Sequence, residues 1–367
     1  MYCFGDGLFY YVLPVYIRQL NASPADVGLL YSLRNLSYGV SIFLGGFFAD
    51  RVDTKKFMIL SSFLWIPVPL ALAFATSWKQ LWLPMILYGT YFEAPAICVY
   101  LLKLAPAKKI MHIFGIWSSS TAAGLFFSPL VGGVLYSLFG KQIMFIVASI
   151  FFAFCVLPLF FIRNNPRPVV DKVKNKPLFI FKEKKVELNK KLVRLTIFFT
   201  LIMFLVLLVK PLVPQLTNGV YHQSVFDLGI FGMMTSFGWI CFSLAFASLG
   251  DRGSKMVAVT GSIAVSSFSF LFIALFNNFP FLCFASFLFG ATGTLEFFMS
   301  GVIAATAPTN SVGIWNAISR ASITFAGVSA PILGGILYEI SPYLAFFATS
   351  SVLFLAVVLS LTSKLFN

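Results

Sequence analysis

Charged residues are scarce in this sequence. Only 10% of the 367 residues are charged, whereas 59% are hydrophobic and Phe alone occurs 45 times. An average soluble domain carries roughly 25% charged residues, because a surface in water needs them. The deficit excludes a soluble enzyme and a disordered chain, and the composition indicates a polytopic membrane protein.

Patterns for metal binding, disulfides and catalysis are also lacking. The two His residues are far apart, and the five Cys residues stand singly within apolar runs. No HExxH or GxSxG motif and no nucleotide-phosphate loop occurs. We therefore expect no metal, no cofactor and no enzymatic activity. The first residues lack the basic region of a secretory signal, so they are expected to start the first membrane span.

Twelve apolar runs have about the length that a helix needs to cross a bilayer, which is about 20 residues. They lie at 2–20, 27–49, 57–77, 80–102, 112–137, 142–162, 192–214, 227–248, 256–276, 280–304, 312–337 and 342–362. We number them spans 1 to 12. The sequence therefore predicts an all-α membrane protein with twelve transmembrane helices.

The basic residues are distributed unevenly between alternate loops. Loops after even-numbered spans, together with the C-terminal tail, hold 20 Lys and Arg, whereas loops after odd-numbered spans hold only three. Because cytoplasmic loops are enriched in Lys and Arg, both termini are predicted to be cytoplasmic in a protein of the cell membrane. The net charge of +14 is thus attributed to the membrane orientation and to anionic lipid, not to nucleic acid.

The two halves of the sequence repeat each other at an offset of 201 or 202 residues. The matched pairs include Asp26/Asp227, Gly28/Gly229, Asp50/Asp251, Arg51/Arg252, Pro129/Pro331, Gly132/Gly334 and Gly133/Gly335. A shared offset across several spans indicates the duplication of a six-span unit. We predict an N-terminal bundle at 1–163, a basic cytoplasmic linker at 164–191 and a C-terminal bundle at 192–367, related by a pseudo-two-fold axis.

The loop after span 2 reads GFFADRVDTKK over residues 46–56. It resembles the loop signature of the major facilitator superfamily, G-x-x-x-D-R-x-G-R-[RK], with Asp53 and Thr54 in place of the second Gly and the next basic residue. The resemblance implies two pseudo-symmetric six-helix bundles around a central cavity, and secondary transport by alternating access. It also implies a latch between the bundles at Gly46, Asp50, Arg51, Lys55, Asp251, Arg252 and Lys255.

Span 5 contains a second signature. It fits the pattern G-x8-G-x3-G-P-x2-G-G at Gly115, Gly124, Ser128, Pro129, Gly132 and Gly133, with Ser replacing one Gly. Small residues at this spacing allow helices to approach closely, and the proline bends the span. The pattern resembles that of antiporters in the superfamily, although span 11 carries a similar set, so part of it is expected to belong to the duplicated fold.

Six charged residues lie inside the predicted spans, where each costs about 2.5 kcal/mol or more at mid-depth. They are Asp6, Arg34, Glu93, Lys210, Glu296 and Arg320. Such residues usually face a cavity or a partner, so all six are candidates for proton coupling or for the substrate cavity. The resemblance implies that spans 1, 4, 7 and 10 line that cavity, and four of the six residues fall on these spans.

Glu93 is the leading candidate for the protonation site, followed by Glu296 at a nearly equivalent repeat position. The alternative is a buried ion pair that only holds the bundle together. Asp6 lies near one end of span 1, so it is either a cavity-mouth acid or an interfacial residue. Lys210 could snorkel to the membrane surface. Arg34 and Arg320 are better suited to pair with a substrate anion or a carboxylate.

Polar and aromatic residues near these charges are further candidates for the cavity wall. They are Tyr10, Asn35, Tyr38, Asn316, Trp117, Trp239 and Trp315. For each aromatic residue, helix packing or lipid contact is the more common use.

These features predict a monomeric secondary transporter for a small-molecule substrate, coupled to protons and favouring export as an antiporter. One alternative is a facilitative or proton-symport importer on the same fold. An alternative of another class is a non-transporting membrane sensor built on a transporter scaffold, which would need a ligand-recognition or signalling domain that this chain lacks.

Overall fold

The computed structural model describes residues 2–49, 54–92, 110–161, 189–252, 255–308 and 312–362, which are largely helical. The helices of the N-terminal half are Tyr2–Tyr10 and Leu13–Gln19 in span 1, Pro24–Ala49 in span 2, Thr54–Phe63 and Pro67–Phe74 in span 3, the 3-10 turn Trp78–Leu81 with Trp82–Gly89 in span 4, and Ile110–Phe161 in spans 5 and 6. Gly140, with a φ of 82°, separates spans 5 and 6.

The C-terminal half repeats this order. Its helices are Lys190–Val209 and Leu212–Gly219 in span 7, Val225–Arg252 in span 8, Lys255–Leu275 in span 9, Phe279–Phe289 and Thr292–Thr306 in span 10, Val312–Ile340 in span 11 and Leu344–Thr362 in span 12. Within the described residues, seven helical stretches are long and apolar enough to cross a membrane, with spans 5 and 6 counted as one. Every predicted span has a helical counterpart.

Spans 1, 7 and 10 are interrupted part-way along their length, which the sequence analysis did not anticipate. Their first helices end at Tyr10, Val209 and Phe289. Span 3 is also interrupted, between Phe63 and Pro67, and the described helix of span 4 ends at Gly89. Broken helices are tolerated at membrane depth only where protein or a water-filled cavity covers them. The breaks in spans 1, 7 and 10 therefore favour a site that these spans enclose.

The two halves meet through tight contacts that occur twice. A side chain on Gly28 in span 2 would overlap the carbonyl oxygen of Pro331 in span 11, and one on Gly229 in span 8 would overlap that of Pro129 in span 5. Both contacts pair positions that the sequence repeat makes equivalent. They lie toward the side of the molecule opposite the basic loops, and they seal the two halves together there.

The small residues of span 5 pack against two neighbours. On one face, Gly124 lies against Cys3, Ser128 against Gly7, and Gly132 against the carbonyl group of Leu8, all in span 1. On the other face, Pro129 and Gly133 meet span 8. Gly334 in span 11 meets the carbonyl group of Leu208 in span 7, so the contact of Gly132 has its counterpart. The surroundings of Gly115 lie outside the described residues.

Asp26 and Asp227, which are equivalent in the repeat, have the same local role in the two halves. The Ser23 amide donates to the Asp26 carboxylate at 2.8 Å, and the Asp26 amide donates to the Ser23 hydroxyl at 3.2 Å. Ser224 and Asp227 form the same pair of bonds at 2.9 and 3.1 Å. These reciprocal caps satisfy amide groups at the first turns of spans 2 and 8.

Candidate substrate cavity

A small cavity of about 60 Å³ lies between the two halves at the broken helices. The N-terminal half contributes residues of spans 1 and 2 to its wall, and the C-terminal half contributes residues of spans 7, 10 and 11. Most of the wall is apolar, and two cations, Arg34 and Lys210, reach it. Because both halves contribute, any movement of one half against the other changes the shape of this cavity.

Asp6, Tyr88 and Arg34 form a linked cluster beside the cavity. The Tyr88 hydroxyl donates a hydrogen bond to Asp6 Oδ1 at 2.6 Å. The Arg34 guanidinium carbon lies 4.4 Å from the centroid of the Tyr88 ring, a cation–π contact. The Arg34 Nε atom is buried and has no hydrogen-bond partner. Tyr88 therefore touches the acid with its hydroxyl group and the cation with its ring.

Lys210 completes the charge arrangement from the other half. Its Nζ atom lies 5.6 Å from the centroid of the Tyr10 ring, and Lys210 and Arg34 are both within electrostatic range of Asp6. Among the described residues, one acid thus faces two cations, which leaves an excess of one positive charge. Span 7 continues beyond Lys210 with a second helix, Leu212–Gly219, and Lys210 lines the cavity, so this lysine does not snorkel to the surface.

The structure places Asp6 deeper than its sequence position suggests. Arg34 is ten residues from the first residue of its helix, Pro24, which corresponds to about 15 Å along the helix axis. That is about half of a hydrocarbon core of about 30 Å. Asp6 shares the Tyr88 side chain with Arg34 and so lies at a similar depth. It is a central residue, not one at the membrane interface.

A second charged pair lies closer to the basic side. Arg320 Nη1 is 3.6 Å from Glu296 Oε1, and their side chains are 51% and 40% exposed. Both residues lie within electrostatic range of Tyr38 in span 2, whose ring centroid is 5.5 Å from that of Tyr91. The pair neutralises itself and joins spans 10 and 11, which matches the ion-pair alternative for Glu296.

The contact between spans 2 and 11 ends toward the basic side. The Asn35 amide donates to the Gly327 carbonyl at 2.7 Å, and Gly39 packs against Thr324 one helical turn further on. One more turn along the same face of span 11, Arg320 is half exposed. Among the described residues, the last close backbone contact between spans 2 and 11 is thus at Gly39 and Thr324, on the side opposite the seal at Gly28.

The predicted aromatic wall is only partly formed. Tyr10 and Asn35 line the cavity. Trp239 packs on Gly293 and lies 6.3 Å from the Phe297 ring centroid, so it fills the contact between spans 8 and 10. Trp315 is 4% exposed in the hydrophobic core of the C-terminal half, so it is a core residue and not a wall residue.

The sequence of this chain matches the model of the Major Facilitator Superfamily over residues 1–275 and again over residues 195–366. This chain belongs to the major facilitator superfamily. The overlap of the two matched ranges is consistent with the duplicated unit of this superfamily fold.

Several relatives within the superfamily can be compared directly. Multidrug resistance protein MdtG of Proteus mirabilis (strain HI4320) is 26% identical over 304 residues, covering 78% of this chain and 73% of MdtG. The multi-drug resistance efflux pump PmrA homolog of Lactococcus lactis subsp. lactis (strain IL1403) is 27% identical over 163 residues, covering 43% of this chain and 40% of its own length. The crystal structure of nucleoside transporter NupG has a TM-score of 0.77 at 15% identity, covering 99% of this chain and 96% of NupG.

Membership of the superfamily confirms the predicted fold of two six-helix bundles. It also establishes the chain as an integral multi-pass membrane protein and a transporter of small molecules, not an enzyme. Within the described residues, no group of three or more His, Cys, Asp or Glu side chains could hold a metal ion.

Several of the predicted site residues lie outside the part of the chain that the structure describes. These are Glu93, Asp50 and Arg51, the side chains of Trp117, Asn316, Asp251, Arg252 and Lys255, and the surroundings of Gly46. The latch therefore stays a prediction. Lys55 Nζ donates to the Phe160 carbonyl at 2.6 Å, at the end of span 6. This bond stays within the N-terminal half and does not cross to the other bundle.

Sequence reasoning missed three tyrosines of the superfamily cavity. Tyr31 and Tyr11 line it, and Tyr88 bonds Asp6. Tyr31 precedes Arg34 by three residues, so helical periodicity places both on one face, and this was the available signal. Tyr88 had no such signal, because its partner Asp6 is 82 residues away in the sequence.

Proposed function

We propose that this chain is a monomeric, proton-coupled transporter of the cell membrane that exports a small solute by alternating access through the central cavity. The observation that carries the proposal is the Asp6 carboxylate beside Arg34 and Lys210, where residues of both halves meet. A group that gains or loses a proton there acts on both halves at once, which is the requirement for coupling a proton to their movement.

The difference between the two sides of the molecule supports alternating access. The halves are pressed together at Gly28 and Gly229 on one side, whereas toward the other side the charged pair of Arg320 and Glu296 is about half exposed. If the basic loops are cytoplasmic, as the distribution of Lys and Arg predicts, this conformation is closed toward the outside and accessible from the cytoplasm. The opposite state requires the glycine contacts to part and the latch side to close.

Asp6 is the acidic group that the described residues favour for the proton. The groups within electrostatic range of it are Tyr88 from span 4, Arg34 and Tyr31 from span 2, Lys210 from span 7, and Cys3 and Tyr11 from its own span. Protonation of Asp6 would remove the charged acceptor of the Tyr88 hydrogen bond and leave both cations uncompensated. Glu93 remains a second candidate from the sequence.

Export as the direction is supported by two observations. The relatives include proteins named for multidrug resistance and for efflux. The glycine and proline pattern of span 5 resembles that of superfamily antiporters, and it lies in the seal between spans 1, 5 and 8.

A second candidate is uptake by proton symport, and the excess of cations in the cavity favours it. Protonation of Asp6 makes the cavity more positive, so a proton and an anionic solute would bind together and move together. An antiporter requires the opposite, because the solute and the proton must exclude each other.

The test uses the purified chain. A thermal-shift screen against a metabolite and drug library at two pH values identifies a solute, and that compound is then followed in proteoliposomes with an imposed pH gradient. We expect Asp6→Asn to reduce gradient-driven transport about tenfold or more while counterflow exchange continues. The direction of movement against the gradient separates export from uptake.

Three variants serve as comparisons in the same assay. Glu93→Gln and Glu296→Gln show whether another acid is the proton site. Asp171→Asn is the control, because Asp171 lies in the predicted linker and outside every predicted span. Unchanged gradient-driven transport in Asp6→Asn would contradict the role of Asp6.

A further inference from the structure

We infer that the solute of this transporter is a small organic anion, and that Arg34 and Lys210 bind its charged group. The inference rests on the proposed function only in placing the solute in the central cavity. It does not require protons to be used, but where Asp6 carries the proton, an anionic solute favours the symport candidate over antiport.

Arg34 is the first part of the argument. Its Nε atom is buried without a hydrogen-bond partner, and its guanidinium plane lies on the Tyr88 ring. A buried donor on a charged group is costly when it has no acceptor. Because Arg34 lines the cavity, an acceptor bound there can reach it. Carboxylate, sulfonate and phosphate groups match the planar guanidinium best, since they accept two parallel hydrogen bonds.

The charge count is the second part. Arg34 and Lys210 both line the cavity, from opposite halves, and Asp6 is the one acid close to them among the described residues. Glu296 is engaged with Arg320 and so does not balance them. An unbalanced positive charge at membrane depth is unfavourable. A solute with one negative charge would neutralise the site, whereas a cationic solute would add to the imbalance.

The other residues of the cavity wall indicate what the uncharged part of the solute is like. Pro14, Leu207 and Phe289 give the cavity apolar surface, and Tyr10, Tyr11 and Tyr31 add aromatic surface with hydroxyl groups. Such a wall suits a compact apolar or aromatic body attached to the charged group. An apolar cavity of about 150 Å³ holds benzene, so this cavity of about 60 Å³ must widen as the halves part before an aromatic ring enters. A highly hydrated inorganic anion would find few polar partners beyond the two cations.

The state of Asp6 sets the affinity for the anion. Ionised Asp6 repels a bound anion, and protonated Asp6 does not. Asn at this position resembles the protonated acid, so Asp6→Asn is expected to bind an anion about threefold or more tightly than the unmodified protein. Protonation of Asp6 thus favours binding of the anion, as expected for a symporter.

The experiment measures the binding of three probes of similar size to the full chain in detergent micelles, by isothermal titration calorimetry. The probes are benzenesulfonate, which stays ionised at every working pH, neutral benzenesulfonamide and cationic benzylammonium. We expect benzenesulfonate to bind about tenfold or more tightly than the sulfonamide, since charge-assisted hydrogen bonds distinguish the two. Benzylammonium is expected not to bind.

Substitutions then test the two cations. Arg34→Gln is expected to weaken benzenesulfonate binding about tenfold or more, and Lys210→Met to weaken it about threefold or more. Arg34→Lys is expected to keep part of the affinity and serves if Arg34→Gln does not fold. Lys141→Met is the matched control, because Lys141 also lies over a tyrosine ring, that of Tyr16, but outside the cavity.

Equal binding of the three probes, or a preference for benzylammonium, would overturn the inference. So would benzenesulfonate binding that is unchanged in both Arg34→Lys and Lys210→Met. The proposed function fails separately: if pH-gradient-driven transport depends on Asp6 while no anion preference exists, only the inference is wrong. If the sulfonate binds as expected and no gradient drives transport, only the proton coupling is wrong.

Discussion

The two halves of this transporter share a framework but differ in the chemistry that faces the cavity. Gly89 packs against the backbone carbonyl of residue 34, and Gly290 packs in the same way against that of residue 235. In spans 1 and 7 the contacts of Leu8 and Leu208 give an offset of 200. At the equivalent positions the N-terminal half has Asp6, Arg34 and Tyr88, whereas the C-terminal half has Val206, Thr235 and Phe289. Contacts between backbones were thus retained after duplication, whereas these three ionisable side chains have no ionisable counterpart.

The interiors of the halves differ in a related way. In the N-terminal half, the ring centroids of Tyr2, Trp65 and Phe152 are 4.5 to 5.5 Å apart. In the C-terminal half, hydroxyl groups join the helices, as between Ser262 and Thr294 at 2.7 Å. Aromatic packing surrounds the polar cluster with a stiff wall. The C-terminal half also has aromatic pairs, such as Phe270 and Phe289 with ring centroids 5.7 Å apart, so the interiors differ only in degree.

The largest effect is expected at the glycine–carbonyl contact that occurs once within each half. Gly132→Val and Gly334→Val should each lower the free energy of unfolding by about 3 kcal/mol or more, because the new side chain overlaps a backbone carbonyl that cannot move aside. Unfolding in micelles, followed by circular dichroism, measures this. Gly301→Ala is the control, since open space surrounds Gly301. A stable Gly132→Val protein beside an unfolded Gly334→Val protein would break the equivalence.

The second prediction concerns an arginine introduced into the C-terminal half at Thr235, the position equivalent to Arg34. Thr235 is buried, and its hydroxyl donates to the Phe231 carbonyl at 2.9 Å. Arg34 has Asp6 close by, whereas the position equivalent to Asp6 in the C-terminal half is Val206. Thr235→Arg should therefore lower the free energy of unfolding by about 2.5 kcal/mol or more, the cost of an unpaired cation at this depth. Thr235→Ser is the control in the same unfolding assay. An arginine tolerated there would show that Arg34 needs no special surroundings.

The third prediction exchanges the aromatic residues beside the cavity. Tyr88→Phe removes a hydrogen bond to a carboxylate, so thermal unfolding should show a loss of about 1.5 to 3 kcal/mol. Phe289→Tyr adds a hydroxyl group at the equivalent position, where no carboxylate stands, and should give no gain in stability. A stabilised Phe289→Tyr protein would mean that the C-terminal half offers an acceptor as well.

The smallest effect is expected at the caps, where the halves are most alike. Ser23→Ala and Ser224→Ala should each cost about 1 kcal/mol, because each removes a side-chain bond at the first turn of a helix. The double variant should show the sum of the two losses, since the caps are distant and independent. Unfolding of the single and double variants under the same conditions checks both values. Unequal single losses would show that the two turns have diverged in their surroundings.

The sequence alone determined the number of spans, the duplication and the family. Lipid selects apolar runs of a certain length, and this requirement acts locally on composition, so it can be read without a structure. The repeat was equally visible, because glycines such as Gly28 and Gly229 meet a backbone and tolerate no other side chain. The six intramembrane charges were also visible as costly exceptions.

Only the tertiary structure decided how these charges combine. It brought Asp6 to Tyr88 and Arg34, joined Glu296 to Arg320, and buried Trp315 in a core. Each outcome depends on the rotation of a helix about its axis and on the place where spans 1, 7 and 10 break. Those features are set by packing between residues that are distant in sequence, which no local pattern of apolar and polar residues records.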